Sequence, residues 1–165
     1  LDWLEWRAQT VTDFVARAKE LVSQPFGVEI WPDPVCAKER FGLDFDAIAE
    51  HVDYFHVPLS SSSYVTMYWA DTLTRDFLKI LKKPMFIELS AEIPRPVETK
   101  ALLRTVAYLS NYNLEAILLL VHDAQRAKDI CKTAINDSNY RKWLDEFGFD
   151  NMNKIIEKWE TIYGQ

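Results

Sequence analysis

The chain reads as an α/β domain: one helix, then four strand–helix units in succession, then a closing helix. Three observations carry that reading. Apolar runs of strand length alternate with segments of helical period, the order that builds a parallel sheet covered by helices. The 165 residues are enough for one domain with a substantial hydrophobic core. Composition, at 48% hydrophobic and 27% charged, is that of a globular protein and unlike a disordered one.

The first run, "WLEWRAQTVTDFVARAKELV", sets Leu4, Val11, Phe14, Val15, Ala18 and Val22 at helical spacing, with Arg7, Asp13, Arg17 and Glu20 opposite. "SQPFG" stops it. "GVEIWPDP" (27–34) is a strand turning into a Pro-rich loop. "DFDAIAEHV" (44–52) is a short helix that Asp44 can N-cap. "DYFHVPLS" (53–60) is a second strand, Ser60 to Ser63 a loop, and "MYWADTLTRDFLKILKK" a long helix. "KPMFIELSAEIP" (83–94) supplies the third strand and "PVETKALLRTVAYLSNYN" (96–113) a helix with Pro96 near its start. "LEAILLLVHD" (114–123) is a wholly apolar fourth strand, and "AQRAKDICKTAIN" and "NMNKIIEKWETIY" are helices. With right-handed crossovers the units close either as an open flavodoxin-like sheet or as part of a (β/α)8 barrel, of which four units are half.

Several classes are disfavoured. A net charge of −6 lacks the basic face that a nucleic acid needs. No apolar run approaches the roughly 20 residues of a membrane helix. No strand is followed by a Gly-rich phosphate loop, and four glycines in the chain leave a nucleotide site little material. Cys36 and Cys131 form no metal spacing and read as buried free thiols of a reducing compartment. Together with the lack of a signal-peptide pattern this favours the cytoplasm. A first residue Leu1, already inside a helical run, reads as a piece of something longer.

The chemistry lies in the two-residue period of the strands. Val28 and Ile30 oppose Glu29 and Trp31; Phe55, Val57 and Leu59 oppose Tyr54, His56 and Pro58; Met85, Ile87 and Leu89 oppose Phe86, Glu88 and Ser90. The apolar sets belong against helices. The remaining face carries Glu29, Trp31, His56, Glu88 and Ser90, with Asp33, Glu92, His122 and Asp123 at the strand ends. Sealing those charges between two helix layers would cost several kcal/mol each, roughly, unless they were paired. A barrel interior, whose side chains near the C-terminal rim line a pocket, gives them water. The plainer readings are an internal ion pair for Glu29 or Glu88, a hydrogen-bonded core histidine for His56, packing for Trp31, and a helix cap for His122-Asp123.

The succession "WLEWRAQTVTDFVARAKELV", "RFGLDFDAIAEHVDYFHVPLSSSSY" and "KKPMFIELSAEIP", over roughly residues 3–123, resembles the second half of glycoside-hydrolase-like TIM barrels. The resemblance implies that the strands are the fifth to eighth of a barrel. Glu88 then inherits the role of nucleophile at the end of strand seven, with Glu92 as the fallback. Its acid/base partner would come from strand four, before Leu1. The "PM-Y" ending of the family's strand six corresponds to Pro58-Leu59 followed by Tyr64, which joins Glu29, Trp31, Asp33, His56, Ser90, His122 and Asp123 as expected substrate-binding residues. The implied ligand is a carbohydrate, with no cofactor and no resident metal, and the implied partner is a second copy or a missing N-terminal half. Two other readings stand beside it. Glu29, His56, Glu88 and His122 are also the residue types of the metal site in xylose-isomerase-like barrels. A half-barrel that self-associates without catalysis is the third.

Overall fold

A computed structural model describes residues 2–59, 67–92 and 97–136 of the chain. The elements run α1 (Trp3–Glu20), β1 (Gly27–Glu29), α2 (Ala37–Phe41), α3 (Phe45–Ala49), β2 (Tyr54–Pro58), α4 (Met67–Ile80), β3 (Met85–Ser90), α5 (Thr99–Leu109), β4 (Ala116–Leu120) and α6 (Ala124–Asn136). The strands form one all-parallel sheet in the order β1-β2-β3-β4. A flavodoxin-like sheet begins 2-1-3, so the open alternative is not the order found. The final segment "NMNKIIEKWETIY" lies outside the described residues, as does Tyr64.

Neighbours in sequence are therefore neighbours in the sheet, and right-handed crossovers carry every connecting helix over the same face. The burial agrees. Phe55, Val57 and Ile87 are completely covered, and with Ile30, Met85 and Leu89 they share one cluster with Val15 of α1, Ile48 of α3, Phe77 of α4, Leu103 of α5 and Ile130 of α6. Across the sheet, Tyr54, Phe86, Ala116 and Leu120 are half-buried and Leu118 is exposed. The alternation predicted for the first three strands holds except at the C-terminal ends, where Pro58 and Ser90 are buried although they belong to the polar set; in β4 Leu118 is exposed between half-buried neighbours.

The ends of α2 and α3 show how local chemistry sets the path into β2. Gly42 takes φ +71° after α2, and its N–H and that of Leu43 return to the carbonyls of Lys38 and Ala37. An L side chain would be strained there, and its Cβ would press on the Arg7 carbonyl at 3.2 Å. Asp44 caps α3 as expected, its carboxylate accepting the Ala47 N–H at 3.2 Å. Lys38 bridges Glu5 and Asp44, at 2.9 and 3.0 Å, and so ties α1 to this turn.

Two expectations need correction. Phe14 is 72% exposed, and the buried side of α1 is Ala8, Thr12 and Val15. The spacing had admitted Phe14 because it lies a helical turn from Val11, yet it projects past the edge of the contact with the sheet. Cys36 is half-buried and Cys131 is exposed on α6, so neither is the buried thiol expected, although both are free.

α4 and α5 are joined by a buried carboxylate. Asp71, 2% exposed, accepts from the Tyr108 hydroxyl at 2.8 Å, from the Tyr112 hydroxyl, and from the Arg75 guanidinium at 2.6 Å. Burial, reinforced by the bond to this anion, pushes the Tyr112 phenol well above its ordinary range. Burial likewise pushes Tyr108 up to about 12. Tyrosines of the unfolded chain ionise near pH ~10, so the stabilisation is fully present below that pH. It is lost as pH rises through the folded values. Alkaline titration followed by circular dichroism and tyrosinate absorbance should show unfolding coupled to ionisation above about pH 10. The Tyr108→Phe variant should be about 1–2 kcal/mol less stable at neutral pH and should show a weaker alkaline dependence.

Candidate functional site

Register determines which polar side chains meet. Glu29 of β1 stands beside His56 of β2, His56 beside Phe86 of β3, and Glu88 one pleat further along β3, level with Pro58 and with Leu118 of β4. All of them lie on the face away from the described helices. Here His56 Nδ1 is 3.3 Å from Glu29 Oε2, and Nε2 is 3.4 Å from Glu88 Oε2. One imidazole thus spans two carboxylates from the flanking strands. The Glu29 side chain is 65% exposed, whereas those of His56 and Glu88 are sheltered, at 19% and 18%.

Two consequences follow from the geometry. Nε2 is buried and, among the described residues, in line for no hydrogen bond, although it is within ion-pair range of Glu88. Nδ1 faces Glu29 and Nε2 faces Glu88, so the ring stands as a spacer that positions both carboxylates. The ring also stands between the two carboxylates, so Glu29 is not the close partner, about 5–5.5 Å away, that a retaining glycosidase sets beside its nucleophile.

The face is hollowed beneath these groups. A concavity of about 380 Å³ is lined by Gly27, Val28, Glu29, Tyr54, His56, Phe86 and Leu118. Glu88 stands just beyond it, toward the strand C-termini. Tyr54 meets Phe86 edge to face at 4.9 Å, and its ring lies over Gly27 so closely that a Cβ there would fall 2.2 Å from it. The missing side chain of Gly27 makes room for the tyrosine. Sequence reasoning passed over Gly27, Tyr54, Phe86 and Leu118, because it followed charges. The alternation had already set Tyr54 and Phe86 on this face, but nothing marked Leu118 within an all-apolar strand.

The other expected residues serve the loops. Glu92 turns its carboxylate to the N–H groups of His122 and Asp123, at 3.0 and 3.3 Å, while its own N–H donates to Ser90 Oγ at 3.2 Å. Asp123 caps α6, accepting the Arg126 N–H at 2.6 Å. The Arg126 guanidinium donates in turn to the carbonyls of Ala91 and Val97. Glu92, Ser90, His122 and Asp123 are thus gathered into one clamp between the loops that follow β3 and β4. Asp33 accepts from the N–H groups of Val35 and Cys36 and from Arg40, which organises the entry to α2. Trp31 packs on Phe41 with ring centres 5.6 Å apart and remains 45% exposed. Among the described residues no three His, Cys, Asp or Glu side chains converge closely enough to hold a metal ion, so the cluster that an isomerase-like centre requires is not formed there.

The clamp gives a direct test. Glu92→Ala should lower stability by about 1 kcal/mol, read by urea denaturation. It should also raise amide exchange at His122 and Asp123, leaving exchange in β2 unchanged. In comparisons with known proteins, no protein-family profile and no curated sequence matches the chain.

Proposed function

We propose that the chain is four consecutive βα units of a (β/α)8 barrel from a carbohydrate-active, glycoside-hydrolase-like protein, with Glu88 as the nucleophilic carboxylate. One observation carries the reading: Glu88 is sheltered, stands in the C-terminal half of its strand, faces away from the described helices, and has the His56 imidazole 3.4 Å away. The consecutive strand order supports the barrel, since it is the order in which such barrels are built. A sugar suits the surroundings. Tyr54, Phe86 and Leu118 offer apolar surface to the C–H faces of a pyranose, and Glu29 and His56 offer polar partners to its hydroxyls.

The division of labour among the acids narrows the mechanism. Glu92 is satisfied by backbone N–H groups and Glu29 is separated from Glu88 by the imidazole. Glu88 then attacks the anomeric carbon, and a second carboxyl group, brought by whatever protein surface faces the sheet, protonates the leaving oxygen. His56, steadied by Glu29, positions Glu88. These four units by themselves do not hydrolyse a glycoside.

The assembled protein gives the test. Glu88→Gln should lower kcat at least about 10³-fold on aryl glycosides, with little change in folding and no response to chelators. Glu29→Gln should have a smaller effect on kcat. Unchanged turnover in Glu88→Gln would end this assignment.

A further inference from the structure

The uncovered face calls for an occupant. All-parallel sheets are found with both faces covered, yet here one face leaves Leu118 40% exposed and Tyr54 and Phe86 half-exposed. The outer edges of β1 and β4 also pair with no strand among the described residues. Strand spacing and rise make the face roughly 19 by 17 Å. That is about 320 Å² of flat face, so the two strand edges and the side chains around them must supply more than half of the roughly 800 Å² per partner of a stable two-chain interface.

We infer that a second copy of this chain covers the face, the two four-stranded sheets closing one eight-stranded barrel in which the two Glu88 carboxylates share a single site. The chain is its own complement. A two-fold axis along the strands sets β4 of each copy beside β1 of the other, in parallel, so both junctions are identical and no edge remains. Eight strands leave an interior just wide enough for side chains from opposite walls to meet. Side chains of one interior layer come from alternate strands, so β3 and its symmetry mate contribute to the same layer. The partner's surface thus supplies the second carboxyl group that Glu29 and Glu92 do not. This last step rests on the reading of Glu88 as nucleophile, whereas the interface does not.

Sedimentation of the full chain at micromolar concentration should give a particle of twice 19.3 kDa. Leu118→Glu should shift it to a monomer with its circular dichroism retained. If that variant fails to fold, amide exchange of the unaltered chain decides: β1 and β4 should gain protection as concentration rises through the association. A monomeric chain, whether the face is covered by its own C-terminal segment or completed in nature by another polypeptide, overturns the inference. So does a dimer whose β1 and β4 amides exchange freely. For the shared site, equal amounts of native chain and Glu88→Gln, mixed and re-equilibrated, should retain about one quarter of the activity rather than one half, since random pairing leaves that fraction of fully native dimers. One half would refute sharing. Dimers of Glu88→Gln with full turnover would refute Glu88 as nucleophile and leave the interface standing.

Discussion

Parallel register between β1, β2 and β3 is the constraint on which the site depends. Side chains change faces at every residue, so a slip of one position along β2 would bury His56 among Ile48 and Phe77 and turn Phe55 outward. The core forbids this. Phe55 and Val57 are completely covered and Phe55 packs edge-on against Phe45 at 6.1 Å. The same burial that stabilises the domain therefore sets His56 between Glu29 and Glu88. Gly27 and the Tyr54 ring set the floor of the hollow in the same way, by a contact that tolerates no Cβ.

The carboxylates divide by what they face. Asp71, Asp44, Asp53, Asp33, Asp123 and Glu92 each accept hydrogen bonds from backbone N–H groups or from tyrosine, lysine or arginine side chains; Asp123 and Asp33 shape their own turns, whereas Asp71, Asp53 and Glu92 join distant segments of chain. Lys19 and the Phe26 N–H, for instance, hold the Asp53 carboxyl below its ordinary range, and the contact ties the end of α1 to the start of β2. Glu29 and Glu88 differ in facing an imidazole, that of His56, at 3.3 and 3.4 Å.

Much of this was legible in the sequence. Two-residue alternation sorted the faces of β1, β2 and β3 correctly, and with them the meeting of Glu29, His56 and Glu88. Asp44 and Asp123 were readable as caps because the N-cap requirement is local. What escaped depends on relations across the fold. Glu92 looked like a second strand-end acid, but its bonds go to His122 and Asp123, 30 and 31 residues away, and no local pattern marks them. Phe14 fitted the helical period, yet period fixes only a direction, and the width of the contact with the sheet decided its exposure. Leu118 sits in an apolar strand whose two faces look alike in sequence, so only topology shows that one of them is left uncovered by the described residues.

That missing cover bears on energetics as well as function. Leaving Leu118 and the ring edges of Tyr54 and Phe86 in water forgoes hydrophobic stabilisation at about 25 cal/mol for each Å². Closing the face recovers it, but also removes water from Glu88 and His56. Desolvation then strengthens their mutual attraction and raises the cost of any state in which one is charged without the other. In the inferred dimer, assembly and chemistry would be coupled through the same two side chains. The contact at 3.4 Å, loose while the face is open, is the one that a low-dielectric interior would tighten most, because both of its members are already more than four-fifths sheltered while Glu29 still reaches solvent.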